Sequence, residues 1–385
     1  YCLFNLQKFY VFWRHFKSFM KKKLALLLYR YFPYGGLQKD FLGITKELLV
    51  RGHEVKVYTR SWEGDIPKNL DVVQLGEKGF SNYSKNKTYV VKALKSVKDF
   101  LPDIVFGFNK MPGLDLYFAA DTCFAKQSLK KNPLQKFTRR HRQSMEFESE
   151  VFSRDSNSKI LLLNEIQAQD FRDVYSTQKE RLTLIPPGIE RDWNQQEFID
   201  IAKLLNLPAN EKIILFVGSD FSRKGLDRAI IGISHLLKQN ISATLLVLGD
   251  DHKGPYEKAI KDLSLSNRII FLGPRKDVAS FMKSSHLLVH PAREEAAGNI
   301  IIEALVSGLP SLVSSEVGFS AEVLKYKSGI VVDGEFNQEK FNYLLEESLS
   351  NEKLTLVKEA IKPLANNDYF YSRFNFIANF IEEAF

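Results

Sequence analysis

The chain has 385 residues, 44% hydrophobic and 26% charged; these are ordinary globular values that exclude a disordered or fibrous protein, and the length fits two or three domains. No run approaches the roughly 18 apolar residues that span a bilayer, and two cysteines, Cys2 and Cys123, are too few for a disulfide framework or a cysteine-rich zinc site, as expected in a reducing compartment. The formal net charge is +8, yet residues 1–23 carry six Lys or Arg and no acid, and residues 124–142 carry seven and no acid, so two patches rather than the whole surface need partners.

In chain order, residues 1–22 read as an extension. Met20 precedes three lysines and the apolar run Leu24–Tyr29, and so reads as a natural start with residues 1–19 upstream of it. The other reading is a basic, aromatic helix (Phe9, Phe12, Trp13, Phe16, Phe19) lying on an anionic membrane. A cleaved signal peptide fits poorly, because Arg14, His15 and Lys17 interrupt its apolar core.

Residues 23–187 then alternate apolar runs with helical patterns. The runs are Leu24–Tyr29, Val55–Thr59, Val72–Leu75, Ile104–Phe108, Leu116–Ala119, Lys159–Leu163 and Leu182–Ile185. Leu37–Val50 and Thr88–Leu101 carry helical spacing, closed by Arg51-Gly52 and by Pro102. Pro186-Pro187-Gly188 cannot continue a helix, and a second series runs through residues 188–366, with strands at Ile213–Val217, Ala243–Leu248, Ile269–Phe271, Leu287–Val289, Leu312–Ser314 and Ile330–Val332. Its helices fall at Leu226–Lys238, Tyr256–Leu265, Asp277–Ser284 and Ile300–Ser307. Apolar strands separated by helices imply parallel sheets buried on both faces. The fold expected is α/β, two doubly wound Rossmann-like domains facing each other across a cleft. The aromatic stretch Asp368–Phe385 (residues 367–385) reads as a helix that packs one domain to the other. Ligands of such sheets bind beyond the carboxyl ends of strands.

The 21 glycines include no Gly-x-Gly pair, and there is no phosphate loop, Asp-x-Asp pair or Gly-x-Ser-x-Gly elbow; the dinucleotide fingerprint, P-loop chemistry and the serine-hydrolase elbow are therefore excluded. Gly218-Ser-Asp-Phe-Ser-Arg223-Lys224-Gly225 lies between a strand and a helix, where two cations in a flexible loop suit a diphosphate. His290-Pro-Ala-Arg-Glu294-Glu295-Ala-Ala297-Gly298-Asn299 opens a helix containing Glu303. On a continuous helix Glu295 and Glu303 would stand about 12 Å apart along the axis, too far for the ~5 Å carboxylate pair of a double-displacement glycosidase. His286 and His290, about 13 Å apart on a strand, read as structural rather than as a metal pair.

The Glu295-x7-Glu303 pattern with Ala-Ala-Gly between resembles the retaining GT-B glycosyltransferases of family 4. Further motifs run from Tyr31 to Asp121: Tyr-Phe-Pro-Tyr-Gly35-Gly36-Leu-Gln-Lys-Asp40, Arg51-Gly-His53, Tyr58-Thr-Arg-Ser-Trp62-Glu-Gly-Asp65, and Gly107 through Asp115 to Asp121. These are similar to the members of that family that build the lipopolysaccharide core. The resemblance extends from about Lys23 to the C-terminus. It implies transfer of glucose from UDP-glucose to inner-core heptose, with no metal or other cofactor, by a cytoplasmic protein peripheral to the inner face of the bacterial inner membrane.

The resemblance also implies roles. Arg223 and Lys224 would bind the donor diphosphate, with Gly35 and Gly36 facing the phosphates. Glu295, helped by backbone donors at Ala297, Gly298 and Asn299, would hold the glucose. Glu303 would take the ribose, and Arg275 would lie near uracil. Asp121 would face the reacting sugar, its rival reading being a helix N-cap; Asp40 and Asp115 would steer the acceptor. Without a suitably spaced second carboxylate, front-face displacement with retention is expected. The basic segment with Lys126, Lys130, Lys131, Lys136, Arg139, Arg140 and Arg142, interleaved with Phe124, Leu129, Leu134 and Phe137, suits an anionic lipid surface; no nucleic-acid module accompanies it. Two alternatives are a related transferase with another nucleotide sugar or glycolipid acceptor, and a non-catalytic membrane-associated scaffold of the same fold.

Overall fold

The computed structural model describes residues 21–33, 35–129, 133–208 and 210–385. The readings for residues 1–19, and those for Lys130 and Lys131, lie outside the described residues. Two units form, one from the described residues up to Gly188 with Ser372–Phe385, the other Ile189–Tyr371.

The first unit holds a seven-stranded parallel sheet: β1 (Lys23–Tyr31), β2 (Glu54–Trp62), β3 (Asp71–Gln74), β4 (Ile104–Gly107), β5 (Leu116–Ala119), β6 (Lys159–Leu162) and β7 (Leu182–Leu184). Its order is β3-β2-β1-β4-β5-β6-β7, with Leu26 of β1 between Val57 and Phe106 of its neighbours. Leu24 to Leu28 are all buried, which is why this strand reads as a continuous apolar run rather than an alternating one. Helix Asn82–Phe100 starts at a Ser81–Ser84 capping box and ends in left-handed Leu101, before the proline that forbids its continuation.

The second unit repeats the plan with six parallel strands: β8 (Lys212–Val217), β9 (Ala243–Leu248), β10 (Ile269–Gly273), β11 (Leu287–His290), β12 (Ser311–Ser314) and β13 (Gly329–Val332), in the order β10-β9-β8-β11-β12-β13. Phe216, Phe221, Ile230 and Ile233 lie in its core with Val247 and Phe341. Each sheet reverses its winding once, between β1 and β4 and between β8 and β11, and the loops after those strands are where ligands of such sheets are held.

The closing stretch differs from the single helix expected. A 3-10 turn, Asp368–Tyr371, belongs to the second unit and helix Arg373–Ala384 to the first. The break at Ser372 turns Arg373 inward. Its guanidinium donates to Asp40 Oδ1 (2.6 Å) and to the Pro186 carbonyl (3.0 Å). Glu382, further along, takes Arg51 (2.8 Å) and His53 (3.1 Å). Among the described residues no helix is long and apolar enough to cross a membrane.

Candidate active site

In the second unit, β8 ends at Val217 and the chain turns through left-handed Asp220 into a one-turn helix, Phe221–Lys224. Asp220 fixes that turn by accepting from the Arg223 amide and from Arg223 Nε (2.8 Å). Gly225, at φ 78°, then starts helix Leu226–Lys238. A Cβ on Gly225 would lie 2.1 Å from the Pro291 carbonyl oxygen, so only glycine lets the loops after β8 and β11 touch.

Glu295 reaches the cations from the loop after β11. Its Oε2 accepts from Arg223 Nη1 (2.9 Å) and Lys224 Nζ (2.7 Å). Burial pushes the Glu295 carboxyl up, but Lys224 and Arg223 outweigh it and hold it at about 2. Burial alone would lower Arg223; Glu295 and Asp220 reverse the sign and raise it. His290, fully buried, sits 3.9 Å from Glu295, and burial followed by the Lys224 charge drives it down to about 3. The imidazole is therefore neutral, and the triad of Arg223, Lys224 and Glu295 carries a net single positive charge. Arg293 closes the arrangement. Its amide donates to the Arg223 carbonyl (2.7 Å) and its guanidinium grips Asp227 through two bonds (2.9 and 2.6 Å).

Glu295 does not share a helix with Glu303. It lies in an extended segment bridged to Val317, and helix Asn299–Val306 begins only after Gly298, at φ 77°. The axial spacing expected for a continuous helix therefore does not apply. The loop is tied down by Glu295 N to the Glu316 carbonyl (3.1 Å) and Phe319 N to the Ala297 carbonyl (2.8 Å). Asn299 opens the helix and Glu303 stands one turn on, half-buried. Arg275, exposed after β10, forms a two-bond pair with Asp277 (2.7 Å each) over the Phe281 ring; an exposed pair of this kind is worth at most about 1 kcal/mol and opens readily.

In the first unit, Gly35 caps helix Gly36–Val50 with an ordinary negative φ of −87°, so the pair does not serve a left-handed turn. Asp121 lies exposed just beyond β5. It is not the N-cap of the following helix, which begins at Phe124. Burial first, and the Asp121 charge second, push the neighbouring Tyr117 phenol well above its ordinary value.

Two acceptor candidates are corrected. Asp40 is buried in its ion pair with Arg373 and anchors the C-terminal helix instead of facing solvent. Asp115 precedes β5, and its Oδ2 accepts from the Val105 amide (2.8 Å). It stands at the amino end of the sheet, opposite the end where ligands bind.

In the basic segment, Arg139, Arg140 and Arg142 are exposed and Lys136 is partly so. Leu129, Leu134 and Phe137 are 72–75% exposed among them. Lys126 departs from the expected patch, since it is paired with Asp170 and its charge is already met. Among the described residues no group of three or more His, Cys, Asp or Glu could hold a metal.

Sequence reading missed Arg293, which looks like any loop arginine, and the half-buried Lys110 and buried Glu148 that hold residues 122–125. Lys110 lies in the stretch 107–121, but nothing in a run of charged residues marks Glu148 as buried.

The arrangement sets two organised cations and one carboxylate side by side beyond the carboxyl ends of β8 and β11, chemistry suited to an anionic group. Residues 198–362 match the glycosyl transferases group 1 family model. The chain is 37% identical over 357 residues to the lipopolysaccharide glucosyltransferase WaaG of Escherichia coli K12, covering 91% of this chain and 96% of that one. A crystal structure of WaaG superposes with a TM-score of 0.87 at 36% identity, covering 93% and 99% of the two chains. Sucrose-phosphate synthase of Thermosynechococcus elongatus, at 16% identity and a TM-score of 0.75 over 95% and 100%, shares the fold. The chain belongs to the glycosyl transferases group 1 family and is a hexosyltransferase of the GT-B fold.

Proposed function

We propose that the protein is a retaining glucosyltransferase moving glucose from UDP-glucose to the inner-core heptose of lipopolysaccharide, at the inner face of the bacterial cytoplasmic membrane. The likeness to the E. coli lipopolysaccharide glucosyltransferase over nearly its whole length carries this reading.

Arg223 and Lys224 neutralise the charge that grows on the β-phosphate as the bond from the anomeric carbon to the phosphate oxygen breaks. Such a contact is commonly worth about 3 kcal/mol to a transition state. Glu295 holds both cations through Oε2, and Oε1 is the oxygen we assign to a glucose hydroxyl. The acceptor hydroxyl attacks the face the phosphate leaves, so configuration is retained, and the departing phosphate oxygen takes its proton. The two cations supply the charge a divalent metal would otherwise bring, so no metal is needed. Gly35 and Gly36 offer backbone donors to the phosphates. Ala297, Gly298 and Asn299 line the sugar, Glu303 takes the ribose, Arg275 lies near the base, and Asp121 faces the reacting sugar.

Turnover of UDP-glucose, UDP-galactose and UDP-N-acetylglucosamine on heptose-terminated lipopolysaccharide tests the reading. We expect glucose to be preferred, an α-linked product by NMR, and rates unchanged by EDTA. Lys224→Ala should cost about a hundredfold in turnover. A β-linked product, a strict metal requirement or a fully active Lys224→Ala protein would each overturn it.

A further inference from the structure

Asp121 stands on a short connection, because β5 ends at Ala119 and the next helix, Phe124–Leu129, is only six residues long. Three buried or nearly buried polar side chains from elsewhere grip that connection. Gln167 donates from Nε2 to the carbonyls of Ala119 and Asp121 (3.1 Å each), while its own Oε1 accepts from the Leu163 amide (3.0 Å). Lys110, from the loop after β4, donates to the Thr122 carbonyl (2.8 Å) and to Glu148. Glu148, fully buried on helix Arg139–Phe152, accepts from the amides of Phe124 (2.8 Å) and Ala125 (2.9 Å), from the Tyr175 hydroxyl (2.9 Å) and from Cys123 Sγ (3.6 Å). One carboxylate thus serves five donors, about as many as its lone pairs accommodate.

A buried ion pair adds little net stability over apolar packing, because desolvation offsets the attraction. What such a pair does supply is a single arrangement of the groups bonded to it. Here those groups are the peptide units carrying Asp121.

We propose that the Lys110–Glu148 pair is the positioning device for residues 121–125, fixing them for the transfer reaction. Glu148 and Lys110 are positioning residues: they touch no substrate and act through the connection they hold. The assignment rests on the reading that Asp121 faces the reacting sugar. It locates the dependence in the turnover step and not in donor binding, since the donor groups are Arg223, Lys224 and Glu295 of the other unit and Gly35 and Gly36 after β1, none of them on residues 121–125.

Glu148→Gln keeps the volume but replaces an acceptor oxygen with a donor, so at least one of the bonded groups meets a donor instead. Lys110→Met keeps the length and removes the cation, and Lys110→Arg restores it. In a Cys2→Ser background Cys123 is the remaining thiol. It is buried, and burial followed by the Glu148 charge pushes it up to about 12, so it is inert while the connection is closed. Glu148→Gln and Lys110→Met should lower kcat by about a hundredfold, the usual consequence of a misplacement of about 1 Å. The KM for UDP-glucose and the calorimetric affinity for UDP should stay unchanged, Cys123 should become reactive to a thiol-specific disulfide reagent, and Lys110→Arg should recover part of the rate. A normal kcat in the folded variants, a parallel loss of UDP affinity, or a Cys123 as protected as before would overturn the proposal. Asp121→Asn separates the two ideas: normal turnover there would remove Asp121 from the reaction, leaving the pair to be judged on kcat and Cys123 protection in its own variants.

Discussion

His290 and Glu295 occupy one buried corner, where burial and Lys224 keep His290 neutral and Lys224 with Arg223, against burial, keep Glu295 ionised. Neither ring nitrogen of His290 has a hydrogen-bond partner, so charging the ring would bury a cation beside Lys224 with only Glu295, already shared by Arg223 and Lys224, to offset it. Its folded value of about 3 lies below the ordinary 6.5, so over that interval the unfolded chain binds a proton that the folded one refuses. Stability from this group is therefore complete above about pH 6.5 and falls as pH drops, by roughly 1.4 kcal/mol per pH unit at the steepest. Glu295 acts lower. Held at about 2 against an ordinary 4.5, it contributes stability that is full above about pH 4.5 and lost as pH falls towards 2. His290→Leu should leave the stability at pH 7 unchanged or raised, because an unsatisfied polar group is exchanged for an apolar one. It should also flatten the dependence between pH 6.5 and 5 in denaturant melts. A slope equal to that of the unaltered protein would show that His290 titrates normally.

Elements connect these residues, and they divide what could be read in the sequence from what could not. The strands buried on both faces announce themselves, because such parallel strands must be apolar throughout; Leu24–Leu28 and Ala243–Leu248 are such cases, while the edge strand Asp71–Gln74 is not buried and shows only a short apolar pair. The one-turn helix carrying Arg223 and Lys224 is too short for any periodicity. Helix Arg139–Phe152 reads only as a charge run, because its buried side chains Phe147, Glu148, Val151 and Phe152 crowd its second half. Asp40 was misread because a carboxylate advertises polarity and not burial; its partner lies 333 positions away. That partner makes a prediction. Asp40→Ala removes the carboxylate bonded to the fully buried Arg373 guanidinium, and should destabilise the first unit by about 3–5 kcal/mol, seen as a lowered melting temperature, while UDP binding by the second unit persists. A second element-level prediction concerns Gly225→Ala. The left-handed backbone alone costs about 1–2 kcal/mol for a side-chain-bearing residue, and the Cβ must also displace the Pro291 carbonyl. The loops after β8 and β11 should part, separating Arg223 and Lys224 from Glu295. Calorimetry should record at least tenfold weaker UDP binding, the scale of about 1.4 kcal/mol or more; wild-type affinity would mean the two loops need not touch.

At the scale of the whole molecule, one topology is used twice, while the runs of Lys and Arg free of acid are confined to particular stretches. Arg139, Arg140 and Arg142 begin a helix that ends in the core of the first unit, and exposed Leu129, Leu134 and Phe137 precede it. Exposed apolar side chains among cations are costly in water and favourable at a lipid interface, where the apolar groups enter the acyl boundary and the cations meet anionic headgroups. Each cation contributes roughly 1 kcal/mol near such a surface, so replacing the three arginines by glutamine should weaken binding to phosphatidylglycerol-containing vesicles by about 3 kcal/mol, or roughly a hundredfold. The loss should shrink as salt rises, because the Debye length falls from about 30 Å at 0.01 M to about 10 Å at 0.1 M. Replacing Leu134 and Phe137 by serine should weaken binding at every salt concentration, because area burial is not screened. Sedimentation with vesicles of varied charge distinguishes the two contributions; equal binding of all variants to anionic and zwitterionic vesicles would mean that this segment does not meet lipid.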